Sequence, residues 1–195
     1  MFQDSRTTES ETDGSPDTFR VRQATSPMEV SLLVLEWAAA EGWHPGLYDT
    51  ESFYHQDPTG FYLAEKDGVP IGGASVVKYG ENFAFLDHVI IKPPFRGKGY
   101  ARRMIKAVIE ASGMSGANIG LDSVMHMQDA YNRIIGVKFA WKNTRFRGVG
   151  SNNIKGVKED NHPAALVSVK QVNFEHLCVF DASVFGTPRP SFLKS

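Results

Sequence analysis

The chain has 195 residues, with 21 Lys and Arg against 22 Asp and Glu and a single cysteine. That length suits one ordinary domain, the near-zero net charge argues against a nucleic-acid surface, and one cysteine excludes both a disulfide framework and a zinc cluster. No apolar run is long enough to span a bilayer and the N-terminus lacks the features of a signal peptide, so a cytoplasmic protein without a membrane partner is expected.

Residues 1–17 are rich in Ser, Thr, Asp and Glu, offer almost nothing to bury, and read as a disordered tail. Phe19 to Ala24 alternates apolar and polar residues as a first strand. Ser26-Pro27-Met28-Glu29 combines a capping box with proline at the first helical position. Val30, Leu33, Val34, Trp37 and Ala38 then fall on one face of a helix that ends near Gly42. Asp49 can cap a short helix through about Gln56. Phe61 to Lys66 and Ile71 to Tyr79 read as strands joined across Asp67-Gly68, a dipeptide suited to a tight hairpin turn. A long strand follows over Phe83 to Lys92.

The next stretch is the focus of the chain. After Val89-Ile90-Ile91, Pro93 and Pro94 stop the strand, and Arg96-Gly97-Lys98-Gly99-Tyr100-Ala101 leads into a helix with apolar positions Ala101, Met104, Ile105 and Val108. A helix N-terminus approached through glycines can hold a phosphate by main-chain amides, and an arginine fork adds charge. The spacing fits neither a P-loop nor a dinucleotide fingerprint. Beyond it come a short strand at Asn118 to Asp122, a helix over Gln128 to Ile135, and strands over Val137 to Arg147 and Ala164 to Gln171, separated by a long polar linker. Cys178 lies in an apolar stretch and reads as a small buried hydrophobe.

The R-G-K-G-Y-A loop, with its strand-proline lead-in, resembles the pyrophosphate loop of the GNAT-type N-acetyltransferases. The resemblance implies a mixed α/β fold, with a central sheet of about six to seven strands flanked by about four helices, over residues 18–172. It also implies that the long strand and the Asn118 strand splay apart around acetyl-CoA. E-W-A-A-A-E-G-W-H-P-G at 36–46 and D-A-S-V-F-G-T-P-R-P-S-F-L at 181–193 resemble the two-domain YitH-type acetyltransferases. Residues 173–195 are then either a closing helix or the start of a second, GNAT-like domain.

From the resemblance, Arg96 and the amides of Gly97, Lys98, Gly99, Tyr100, Ala101 and Arg102 would take the diphosphate. Main-chain groups of Val89, Ile90 and Ile91 would pair with the pantetheine arm and polarise the thioester carbonyl. Asp87 occupies the position of a glutamate in the similar spermidine/spermine acetyltransferases, and strand alternation puts it on the face of Val89 and Ile91, with His88 opposite. Asp87 is the expected base and His88, as an imidazole, the second candidate. Tyr131 is the expected acid for the thiolate, although it stands five residues before Gly136 rather than the family's four, a register that would select Asn132. Glu41, Trp43, His44 and Tyr48 are the expected acceptor site, where aromatics and a carboxylate suit a cationic amine. The expected function is acetyl-CoA-dependent N-acetylation of a small or protein-borne primary amine, by a monomer or homodimer. The alternative is a catalytically weak acyl-CoA-binding module.

Overall fold

The computed structural model describes residues 18–144, 146, 148–149 and 167–195. The expected tail at 1–17, most of the polar linker, and Ala164 fall outside them.

Strand β1 (Arg20–Gln23) is followed by helix α1, which is α-helical over Pro27–Ser31, π-helical over Leu32–Trp37 and α-helical again over Ala38–Ala40. Its start is the capping chemistry expected: Ser26 Oγ accepts from Glu29 N at 3.3 Å, and the Glu29 carboxylate accepts in turn from Thr25 N at 2.8 Å. Helix α2 (Asp49–Gln56) precedes the hairpin of β2 (Phe61–Lys66) and β3 (Val69–Lys78). Asp67 and Gly68 at its turn have φ of 53° and 77°, the left-handed pair that a twisted two-residue hairpin demands. Then come β4 (Phe83–Ile91), α3 (Tyr100–Ala111), β5 (Asn118–Gly120), α4 (Gln128–Ile135), α5 (Phe174–Phe185) and α6 (Pro190–Lys194).

The sheet runs β1-β2-β3-β4-β5, antiparallel until β5 joins β4 in parallel. It separates two cores. On one face Ala84, Leu86 and Ile91 pack with Tyr100, Met104, Ile105 and Val108 of α3 and with Tyr131 of α4. On the other, Phe61, Leu63, Val77 and Ile90 pack with Val30, Leu33, Val34, Trp37 and Ala38, the helical face expected of α1. Both faces are covered, which is why β2 and β3 read as nearly continuous apolar runs.

The sheet has five strands among the described residues rather than six or seven. Val137 to Thr144 is irregular, with Phe139 and Trp141 exposed, and 169–171 is a 3₁₀ turn. Arg145 and Arg147 lie outside the described residues. Alternating apolar residues make a strand only where a neighbouring edge completes its hydrogen-bond ladder, and the described residues of the two segments meet none.

The C-terminal segment forms two helices. Phe185 packs edge-on against Tyr79, centroids 5.0 Å apart, and Phe192 lies 5.5 Å from Phe53 of α2. Arg189 ties them together, bonded to Asp181 at 2.8 Å and lying over both Phe185 and Phe192. The outer face of α5 leaves Val179, Phe180 and Val184 exposed.

Candidate active site

Two features of the sheet mark the candidate site. β4 and β5 pair only over Phe83–Phe85 and Asn118–Gly120, so the edge of β4 from Leu86 to Ile91 has no ladder partner on that side among the described residues. At the far end of that edge the chain turns through Pro93–Phe95 into the glycine loop. Gly97 and Gly99 have φ of 75° and 80°, which a side chain would strain, and a Cβ at either would meet nothing within 4 Å. The loop therefore faces open space. Arg103 N to Gly99 O, 3.3 Å, opens the ladder of α3, so the amides of Tyr100, Ala101 and Arg102 precede the first helical donor and are available to an anion.

The side chains sort differently from the amides. Arg96 Nε donates to Ile91 O at 2.6 Å, and its Nη2 is bonded to Glu41 at the end of α1. Lys98 turns back to Pro94 O at 3.2 Å. Tyr100 is buried and stacks on Phe19, so its side chain belongs to the core and not to the loop's open side. A groove of about 530 Å³ between α3 and α4 is lined by Arg102, Ala130, Arg133 and Ile134. Arg133 had no motif to single it out, because a lone basic residue on a helix reads as a solvated face. A second groove of about 540 Å³, between α1 and α2, is lined by residues such as Met28, Leu35 and Tyr54, none of them from the loop or β4.

Alternation along β4 breaks at His88. Ser75 pairs with Asp87 but Gly73 with Ile90, leaving Ala74 opposite two residues, and His88 takes a left-handed φ of 51°. This is a β-bulge. Leu86 and Val89 both pack on the α3 side, so Asp87 and His88 both turn to the α1–α2 side. The expected shared face of Asp87 with Val89 and Ile91, and the opposed face of His88, are thus both corrected, because one inserted residue shifts the period of two. Asp87 Oδ1 accepts from His88 N at 2.7 Å, and its Oδ2 lies 3.9 Å from His88 Nδ1. Ser75 Oγ and His88 Nδ1 are 3.0 Å apart, and the edge of the imidazole meets Phe53.

Tyr131, not Asn132, faces inward. Asn132 Nδ2 donates to Val137 O at 2.9 Å and so closes the end of α4, while Tyr131 is buried against α3. Burial, and then the charge of Asp87, push the Tyr131 phenol up to about 12. Its proton is held at neutral pH, and Asp87 lies within electrostatic reach of it.

The expected acceptor residues do not converge. Glu41 is paired with Arg96 at the loop. Trp43 packs against the α1 core, and His44 and Tyr48 are exposed on the connecting loop. Ser75, Phe53 and Phe192, which do surround His88 directly or in the next layer, come from β3, α2 and α6. No sequence signal joins positions so far apart.

Residues 29–137 match the model of the acetyltransferase (GNAT) family. The chain belongs to the GNAT family of acetyltransferases. It is 29% identical over 162 residues to a holothin acyltransferase of Pseudoalteromonas sp. (strain SANK 73390), a match covering 83% of this chain and 52% of that protein. The chain thus spans about half the length of this relative. Among solved structures, a Pyrococcus horikoshii protein assigned as an acetyltransferase is similar with a TM-score of 0.62 and 16% identity, over 98% of this chain and 64% of that one. A Clostridium acetobutylicum acetyltransferase solved with acetyl-CoA is similar with a TM-score of 0.51 and 17% identity, over 67% and 96%. These likenesses establish a mixed α/β GNAT fold. Acetyl-CoA is the acyl donor of the GNAT acetyltransferases, and no described helix is long and apolar enough to cross a membrane.

Proposed function

We propose that this chain transfers an acetyl group from acetyl-CoA to the nitrogen of a primary amine, which attacks the thioester directly. The observation that carries the reading is the unpaired edge of β4 leading from the glycine loop to Asp87. Acetyl-CoA supplies an activated acyl group as its thioester. The residues present suit it: a loop in open space with αL glycines, three unpaired helix amides, and Arg96, Arg102 and Arg133 around the approach.

The free backbone groups of Val89 to Ile91 are where an extended arm would pair as a strand, and a main-chain N–H there would polarise the carbonyl. Ile91 itself contributes differently, because its carbonyl already orients Arg96. An amine is almost fully protonated near neutral pH, so a base must release its lone pair, and the Asp87–His88 pair stands on the side of the sheet away from α3. Tyr131, with its proton held by burial, is the donor to the departing thiolate. The acceptor enters over α1, α2 and the C-terminal helices, where Phe53 and Phe192 form an apolar wall. The relative's name makes holothin the first acceptor to assay, beside small amines and lysine peptides.

Acetyl-CoA should raise the melting temperature, since a ligand at about a hundred times its dissociation constant stabilises by about 2.7 kcal/mol. Continuous release of CoA with at least one acceptor is the expected companion result. Binding without release from any acceptor would replace the transferase reading with that of an acyl-CoA-binding module, and absence of binding would end both.

A further inference from the structure

Ser75 is fully buried, with no accessible surface, and its hydroxyl reaches His88 Nδ1 at 3.0 Å. An alanine would fill the same space in β3 without desolvating an oxygen, so the hydroxyl has to be understood through its partner. That partner sits at the bulge, in a left-handed conformation uncommon for a residue with a side chain. The bulge turns the imidazole to the side of Asp87, whose Oδ2 is 3.9 Å from the same Nδ1. Two oxygens therefore crowd one ring nitrogen. An ionised carboxylate accepts and never donates, so it favours a hydrogen on Nδ1, and the serine oxygen can accept that hydrogen. The other nitrogen, Nε2, makes no hydrogen bond among the described residues. The groups that face the ring are Ser75 from β3, Asp87 from its own strand and the uncharged Phe53 from α2.

We propose that Ser75 is a positioning residue which, with Asp87, holds His88 as the Nδ1–H tautomer, so that Nε2 is the atom that takes the proton from the attacking amine. The inference rests on the transferase reading and divides the labour of its Asp87–His88 pair. Nε2 first takes a proton from the ammonium and passes it to solvent, which frees the lone pair; as the C–N bond forms, the nitrogen passes its second proton to Nε2. The C–S bond breaks, the sulfur leaves with the electron pair, and the thiolate takes a proton from the Tyr131 phenol. Exchange with solvent resets both groups. Asp87 orients the ring from outside as Ser75 does from within.

The test uses the full chain labelled with ¹⁵N-histidine. Long-range imidazole spectra of the free protein, with His88 assigned by its loss in His88→Gln, are expected to show Nδ1–H in the wild type and a shift toward Nε2–H in Ser75→Ala. In CoA-release assays, with whichever acceptor turns over, Ser75→Ala should lower kcat by less than the about 10²- to 10⁴-fold that a general base supplies, and leave the KM for acetyl-CoA unchanged. Ser75→Thr, which keeps the hydroxyl, should recover part of it. In the His88→Gln background Ser75→Ala should cost nothing more, since the two act through one path.

An Nε2–H tautomer in the wild type overturns the proposal without any variant. So does an unchanged tautomer or full kcat in a folded Ser75→Ala. Failure of the transferase reading looks different: a wild type that neither binds acetyl-CoA nor releases CoA.

Discussion

The contact between Glu41 and Arg96 makes a prediction about affinity, with a sign that can be worked out. Arg96 has two commitments: its Nε is fixed on Ile91 O, while its Nη2 edge is bonded to Glu41. The first aims the guanidinium and survives ligand binding. The second occupies the edge that a diphosphate would use, and it also sets a negative charge beside the anion site. The arginine and glutamate side chains are 47% and 25% exposed, so their pairing is worth at most about 1 kcal/mol. Glu41→Gln removes the charge but keeps the shape at the end of α1. Its expected effect is tighter acetyl-CoA binding by up to about fivefold, because 1.4 kcal/mol corresponds to about a factor of ten. The gain should shrink at high salt, where the Debye length is shortened. Isothermal titration of acetyl-CoA at low and high salt measures both effects. Arg96→Gln should weaken binding, and adding Glu41→Gln to it should recover less than Glu41→Gln gains alone, since only the charge beside the anion site is then removed. If Glu41→Gln alone weakened binding, Glu41 would be holding the arginine in place for the ligand, and competition between Glu41 and the diphosphate would be refuted.

Tyr131→Phe should lower kcat at least about tenfold while leaving the acetyl-CoA dissociation constant within about twofold, as CoA release and calorimetry would show, since it removes a proton donor and little contact area. In Gly72→Ala the new Cβ would stand 2.2 Å from Ile90 O and 2.8 Å from Ile91 Cδ1, so β3 and β4 must part beside the bulge. The expected cost of about 3 kcal/mol would register as a fall in melting temperature of about 6–12 °C. Gly80→Ala, at φ 87° with open space around it, should cost only about 1 kcal/mol in the same scan. The Glu29 carboxyl is held down at about 2 by the Arg22 guanidinium and then by Thr25 N–H. Its folded value lies below the ordinary 4.5, so the stability it contributes is present above about pH 4.5 and is lost as pH falls toward 2. Glu29→Gln should flatten acid unfolding across that window by about 1 kcal/mol, the pair being partly in water.

Sequence by itself determined the features whose causes are local. The cap at Ser26 and Glu29, the buried stripe from Val30 to Ala38, the turn at Asp67-Gly68 and the glycine loop entering α3 each depend on residues a few positions apart. Their hydrogen bonds and φ preferences are set by near neighbours, so pattern and geometry agree. Tertiary structure decided what depends on distant partners. The apolar alternation after Val137 found no edge to pair with among the described residues, and so made no strand. Glu41 met Arg96 from 55 residues away, and the spacing of Tyr131 from Gly136 mattered less than which side chain of α4 was covered by α3. The bulge is the sharpest case: the period of two reads correctly on either side of His88, but an extra residue opposite Ala74 is a property of two strands in register, and it alone brings His88 to the face that Ser75 and Asp87 share.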